Sequence, residues 1–461
     1  MLLAHQACRP YVVKRQEKGP PIEADAAMPR NIAVTYLDWH GERRLPPLNG
    51  ITSTPILRHD GSFHSATGYD AETGIWLVGA PDVARLVPVA PSKDEAQSAM
   101  RRLRRQFATF CFADAVTTHV PDVPELLVDQ EAPPGADESA LLVALLTAIC
   151  RPSLTLAPGV LIRAASMSGA GAGKGLLARC ICIIAFGREP FAVTAGGNAA
   201  ELDKRIAAEL IAGGPTLFLD NLNDRAVKSD QLASAITECP TRVRVLGKSE
   251  MMALNASALV LMTGNGVSVS EDLARRFIAI ELDARTEDPE ARRFTGDIRA
   301  DVRSHRAQLL AAGLTIWRWG RQQAADLPTG LPLGSFEHWA SWVRDPLLAL
   351  GCRDPAQRTA EAKQHDVRRQ ELAATFKLWQ QHHERRPVTA DKLHDAVKAA
   401  LDPQDRGRQF IARRLETIKG TRLGGMMISR EKTSRWSPAT YALLPADEPD
   451  CHRGHAGASG E

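Results

Sequence analysis

Ser168-Gly169-Ala170-Gly171-Ala172-Gly173-Lys174-Gly175 lies between two apolar runs, Gly159-Val160-Leu161-Ile162-Arg163-Ala164-Ala165 before it and Leu176-Leu177-Ala178-Arg179-Cys180-Ile181-Cys182-Ile183-Ile184 after it. The first run has the length and composition of a buried strand, and the second reads as a helix. Strand, glycine loop, lysine and helix in that order make a phosphate cradle. The glycines let backbone N–H groups turn inward, the helix N-terminus adds partial positive charge, and Lys174 can reach the β- and γ-phosphates. Two positions depart from the strict G-x-x-x-x-G-K-[ST] pattern. Ser168 stands where the first glycine is expected, and Gly175 stands where a hydroxyl normally ligates Mg²⁺.

Downstream comes Gly213-Gly214-Pro215-Thr216-Leu217-Phe218-Leu219-Asp220-Asn221, an apolar strand ending in an acid 46 residues after Lys174. In a parallel sheet such a strand projects Asp220 at its C-terminal edge, beside the phosphate loop, where it would hold Mg²⁺ through water. A further strand, Ala258-Leu259-Val260-Leu261-Met262-Thr263, ends in Gly264-Asn265-Gly266. Asn265 could orient an attacking water or touch the γ-phosphate, the alternative being an ordinary Asn-Gly turn. Arg275 and Arg276 then head the strand that begins at Phe277. There they are poorly placed to reach their own nucleotide and well placed to enter a neighbour's.

With these motifs in this order, the chain over about 150–290 resembles the AAA+ ATPases. Within them it is most similar to the superfamily-3-like helicases and primase-helicases of phages, plasmids and integrated mobile elements. Ile51-Thr52-Ser53-Thr54-Pro55 with Gly68-Tyr69-Asp70, and Leu333-Gly334-Ser335-Phe336-Glu337-x-Trp339 with Arg344-Asp345-Pro346, extend a weaker likeness outward. The resemblance implies ATP and Mg²⁺ as cofactors, with Lys174 the phosphate lysine and Asp220 the metal acid. Asn265 would be the sensor asparagine, and Arg275 or Arg276 the finger acting in trans. Lys248 falls where such helicases carry a DNA-contacting pore hairpin. The implied assembly is a homo-oligomeric ring, a hexamer, on single-stranded or forked DNA, replicating a mobile element or prophage. A separate primase is a candidate partner, since no primase acid triad is visible. Asn221 stands where many relatives have a glutamate that polarises water, and an amide cannot accept the water's proton. Three readings follow: an ATP-driven helicase or translocase; a non-motor initiator, loader or switch; and a DNA-binding protein whose ATPase is inert except for assembly.

At 461 residues the chain has room for about three cores, and its 44% hydrophobic and 24% charged residues are those of an ordinary globular protein. No run of 18 apolar residues is present, so no membrane span is expected, and the apolar start at Met1 is too short for a signal peptide. The eight scattered cysteines form no disulfide framework, which suits a reducing cytoplasm. A net charge of +3 conceals an asymmetry: residues 363–435 hold 17 Lys and Arg against 9 Asp and Glu. That imbalance favours a nucleic-acid partner for the C-terminal third.

The expected class is α/β, a P-loop core of parallel sheet flanked by helices over 151–290. Around it are expected a β-rich domain over 1–90, a helical collar over 91–150, a helical extension over 291–362, a winged-helix-like domain over 363–445 and a disordered tail over 446–461. Strands are predicted at 51–57, 62–67 and 74–78, with His59 and His64 as solvated turn residues rather than zinc ligands. A helix over 92–112 carries Arg101-Arg102-x-Arg104-Arg105, read as a solvated face with DNA contact as the alternative. Trp317, Trp319, Trp339 and Trp342 read as core anchors. In the C-terminal third, helices are predicted over 368–383, 390–401 and 406–419, followed by a basic hairpin. The third helix, with Arg406, Arg408, Arg413 and Arg414, would enter the major groove, and Arg430, Lys432 and Arg435 on the wing would touch phosphates. The alternative is a winged helix used for protein contacts.

Overall fold

A computed structural model describes residues 11–16, 19–32, 34, 46, 48–120, 125–166, 169–194, 196, 198–224, 226–247, 249–358, 367–431 and 439–446. Ser168, Lys248, Lys432, Arg435 and the tail from 447 lie outside the described residues. The chain forms two compact units, Met1–Gln357 and Arg358–Glu461.

In the first unit, helix α1 (Lys93–Gln106) begins with a capping box in which Ser92 and Glu95 exchange side-chain to backbone hydrogen bonds. Helix α2 (Ala136–Cys150) is buried along nearly its whole length and runs through the centre of the unit. Its apolar sequence on every face dictates that position, because only a helix surrounded by other elements can be hydrophobic all round. Strand β1 (Gly159–Ala164) leads to the glycine loop and helix α3 (Lys174–Phe186). Then follow β2 (Ala192–Val193), α4 (Ala199–Ala212), β3 (Thr216–Leu219), α5 (Asp230–Thr237), the hairpin β4 (Thr241–Arg244) and β5 (Met251–Leu254), β6 (Leu259–Asn265) and β7 (Phe277–Leu282). Helices α6 (Ile298–Ser304) and α7 (Arg306–Gln322) complete the part that bears on the site.

Five strands make one parallel sheet in the order β2-β3-β6-β1-β7. Parallel strands covered on both faces need continuous apolar runs, and β1, β3 and β6 are buried accordingly. The register pairs Ile162 with Thr263, Ala164 with Asn265, and Leu219 with Met262. The loops after β1, β3 and β6 therefore emerge together at one edge. Phe277 packs so closely on β1 that a Cβ at Gly159 would stand 2.3 Å from its ring, which is why that strand starts with glycine. Trp317, Trp339 and Trp342 are fully buried and Trp319 nearly so, and Trp339 Nε1 donates to Thr147 Oγ1 on α2 at 2.9 Å.

Several elements are shorter than their sequence suggests. The strand predicted over 62–67 is Phe63–His64 alone, and Gly68–Asp70 forms a strand where none is predicted. The predicted helix over 92–112 stops at Gln106, and Arg104 is not on a solvated face. It is 4% exposed, forks onto Glu138 at 2.8 and 3.1 Å, and donates to the carbonyls of Asp129, Gln130 and Ala132. Burial raises the pKa of the Glu138 carboxyl, against the pull of Arg104.

The second unit has helices α8 (Val367–His383), α9 (Asp395–Leu401) and α10 (Arg408–Ile418). With them is a four-stranded antiparallel sheet of β8 (Val388–Thr389), β9 (Arg422–Leu423), β10 (Met426–Glu431) and β11 (Thr440–Pro445), in the order β8-β11-β10-β9. Its core gathers Trp379, Val397, Leu415, Ile428 and Leu443. The middle helix is shorter than predicted because the extended pair Val388–Thr389 joins the sheet edge against Tyr441 and Thr440, and His394 caps a helix that starts only at Asp395. Gly407, at φ +95°, breaks the chain before α10, so Arg406 sits in the loop before the helix rather than on it.

Candidate nucleotide site

The glycine loop turns on left-handed residues at Gly171 and Gly173, with φ of +75° and +94°, which glycine alone adopts without cost. It delivers the chain into α3 at Lys174, so the first N–H groups of a 13-residue helix face the loop. Lys174 is half-buried, and its Nζ donates to the Gly169 carbonyl at 2.6 Å. Burial depresses its pKa, while Cys111 and Asp220 nearby oppose the shift.

Strand β6 lies between β1 and β3, and so brings the other candidates to the loop. A Cβ at Gly169 would stand 2.6 Å from Asn265 Oδ1, and one at Gly175 would stand 3.7 Å from Asp220 Oδ1. Asn265 Oδ1 is buried and has no hydrogen-bond partner among the described residues. Its backbone N–H donates to Asn223 Oδ1 at 2.8 Å, which fixes the residue at the end of β6. Thr263, two residues earlier and on the same face, donates to Asp220 Oδ1 and accepts from the Asn221 N–H at 3.2 Å.

Immediately after Asp220 the chain bends through Asn221 at φ +63°, a left-handed conformation that Asn tolerates and that is uncommon for other side chains. Asn221 Oδ1 accepts from Asn223 Nδ2 at 2.6 Å, and Asp224 accepts from Ser166. Thr263, Asn223 and Asp224 are hydrogen-bonded neighbours of these candidates that the sequence reading did not name. Thr263 alone left a signal, as the polar residue closing an apolar strand.

The two arginines ahead of β7 part company. Arg276 is 16% exposed and donates to the Ala233 carbonyl and Thr237 Oγ1 at 2.7 and 2.8 Å, bracing α5. Arg275 is 58% exposed and rests on Asp272 at 2.5 Å. The hydrogen bond from Arg275, with both guanidinium charges, holds the Asp272 carboxyl below the usual range.

Beside the loop opens a cavity of about 1170 Å³, bordered by Gly171 to Gly173 and lined by Arg102, Arg105, Phe110, Phe294 and Arg299. The donor set suits a nucleoside triphosphate. It combines left-handed glycines, a helix N-terminus and a half-buried ammonium at one edge, and the acceptor oxygen of Asn265 and an open cavity lie beside them. No group of three or more metal-ligating side chains occurs among the described residues. Mg²⁺ is commonly held by one or two carboxylates together with substrate phosphates and water, and Asp220 fits that limited role.

In the second unit, Arg408 is 70% exposed and 3.8 Å from Asp391, and Arg413 is exposed on α10, while Arg414 is half-buried. Arg406 lies over the Phe410 ring at 3.5 Å and pairs with Asp402 at 3.3 Å. Arg430 is tied to Glu416 at 3.0 Å, and Glu416 also accepts from Tyr441 Oη at 2.6 Å. Among the described residues no helix is long and apolar enough to cross a membrane.

No family model matches the chain, and no curated protein matches it. The apo C-terminal region of NrS-1 aligns at 13% identity and a TM-score of 0.39, over 94% of this chain and 93% of that one. SCCmec type IV Cch, described as an active helicase, aligns at 11% identity and a TM-score of 0.31, over 86% and 79%. At scores this low neither likeness bears on fold or function.

Proposed function

We propose that the chain is an ATP-dependent DNA helicase or translocase acting as an oligomeric ring. The observation that carries this reading is the meeting of Lys174, Asp220 and Asn265 around the glycine loop at one edge of the parallel sheet. Backbone N–H groups from Gly169 to Gly175 would cradle the phosphates, and Lys174 would exchange the Gly169 carbonyl for β- and γ-phosphate oxygens. Asp220, oriented by Thr263, would hold Mg²⁺ through water; the ion, when bound, neutralises charge developing between the β- and γ-phosphates. Asn265, whose side-chain oxygen has no partner among the described residues, would orient the attacking water. The cavity beside Gly171 would take the base and sugar, with Phe110 and Phe294 as apolar walls. Arg275, exposed and ahead of β7, would leave Asp272 to complete a neighbouring subunit's site, with Arg276 as the brace behind it.

The second unit, with three helices and a small antiparallel sheet, suits a winged helix that presents Arg408 and Arg413 to DNA. Replication of a mobile element is the setting that the sequence resemblance suggests. A second reading, in which ATP only stabilises assembly, draws on Asn221, whose side-chain oxygen is occupied by Asn223 and which supplies no base.

Steady-state ATP hydrolysis with and without single-stranded DNA separates the two. The motor reading expects DNA-stimulated turnover that Lys174→Ala abolishes. Nucleotide binding with no turnover in the presence of DNA would overturn the motor and leave the assembly role.

A further inference from the structure

Arg179 enters neither the phosphate motif nor the acid strand, yet it touches both. It lies one helical turn after Gly175 on α3, and its Nη1 donates to the Gly175 carbonyl at 2.9 Å. Its Nη2 stands 3.5 Å from Asp220 Oδ2, and its guanidinium lies 5.6 Å from the centre of the Phe218 ring on β3. On the far side Nε is 3.6 Å from Glu189. Glu189 is also engaged by Arg303 and, at 3.9 Å, by Arg299. One carboxylate thus faces three guanidiniums there, which leaves Arg179 with Asp220 as its less contested partner.

Gly175 is what admits this side chain. A Cβ at 175 would stand 2.7 Å from Arg179 Nη1, closer than such atoms approach, so a serine or threonine would push the guanidinium aside. The missing hydroxyl and the extra cation are therefore one arrangement: where the phosphate motif usually offers a metal-ligating hydroxyl, this chain offers a guanidinium to the same aspartate.

We propose that Arg179 is a resident counter-ion for Asp220, admitted by Gly175, that competes with Mg²⁺ for that carboxylate and so sets the metal concentration at which nucleotide is bound. This rests on the ATP-site reading above. Arg179 acts through Asp220 and is a positioning residue. The Gly175 carbonyl and the Phe218 face would keep the guanidinium in place if Asp220 held the ion.

The test is binding of a fluorescent N-methylanthraniloyl ATP to the full chain at fixed free Mg²⁺ concentrations. Arg179→Gln should lower the half-saturating Mg²⁺ by roughly fivefold, the scale of a partly exposed ion pair. Gly175→Ser, which displaces the guanidinium and adds a hydroxyl, should move it in the same direction at least as far. Should Arg179→Gln fail to give a native circular-dichroism melt, Gly175→Ala, which displaces the guanidinium and adds no metal ligand, decides in its place. A midpoint unmoved in the folded variants, or wild-type binding that ignores Mg²⁺, overturns the inference while leaving the nucleotide site in place. Wild-type protein that binds no analogue at any Mg²⁺ concentration overturns the ATP-site reading, and this inference with it.

Discussion

Several arginines of the first unit turn inward, whereas Arg408 and Arg413 of the second stay at the surface. Arg104 meets Glu138 and three carbonyls, Arg151 donates to the carbonyls of Leu154, Ala256 and Ala258, and Arg344 pairs with Asp345; each of the three is 4% exposed or less. Burial lowers the Arg151 pKa to about 10. By contrast Arg408 is 70% exposed, and Arg413 is exposed as well. A guanidinium has five donors in a fixed fork, so it can satisfy several buried carbonyls at once or present a planar charge to phosphate. Which of these it does depends on whether carbonyls or solvent face it, and a count of basic residues cannot separate the two.

The contrast recurs between neighbours at Arg275 and Arg276, where the largest effect is expected. Arg275→Ala should cut ATP turnover by about 10³ to 10⁵, the range for an arginine finger, with the melting temperature unchanged. Arg276→Ala should instead cost about 1.5–3 kcal/mol of stability through lost charge-assisted hydrogen bonds to α5. Turnover of mixed Arg275→Ala and Lys174→Ala subunits checks the assignment. Failure to regain partial activity at any mixing ratio would break the division between an outward and an inward arginine.

Next in size is the brace at Arg104. Arg104→Ala leaves Glu138 buried without its partner and should cost about 3–5 kcal/mol, read from chemical denaturation. Replacing both residues by apolar ones should recover only part of that loss, because the carbonyls of Asp129, Gln130 and Ala132 remain unsatisfied. A variant as stable as wild type would show that the inward arginines are incidental.

Much of the first unit's core is legible in sequence, and the reason is local. Lys174, Asp220 and Asn265 each end or follow an apolar run, and a parallel sheet brings such ends to one edge whatever the intervening helices do. The burial of α2 and of the tryptophans follows from apolar content alone. The rest depends on partners far apart in the chain. Arg104 reads as one of four arginines on a surface helix until Glu138, 34 residues away, is folded against it. Arg179 looks like the polar side of an apolar helix until Gly175 and Asp220 are seen around it. In the second unit Gly407 moves Arg406 off the helix where periodicity places it, an effect of one backbone angle that hydrophobic pattern does not register.

The smallest expected effect tests the outward half of the comparison. If Arg413 serves DNA, Arg413→Ala should weaken binding of a duplex about equally for every sequence and lower the slope of log K against log salt by about 1, as for one lost phosphate contact. Its melting temperature should not change, since its side chain is exposed on α10. Arg430 offers the internal control, because Glu416 already holds it at 3.0 Å and Tyr441 donates to the same carboxylate. The hydrogen bond from Tyr441 and the charge of Arg430 keep the Glu416 pKa below the usual carboxylate range. Stability linked to that group is present above its unfolded pKa and lost as pH falls through the lower folded value. Arg430→Ala should therefore reduce acid resistance of the second unit and change the salt slope less than Arg413→Ala does. Equal slopes for the two variants would mean that Arg430 leaves Glu416 for phosphate, and that outward and inward arginines interconvert when DNA binds.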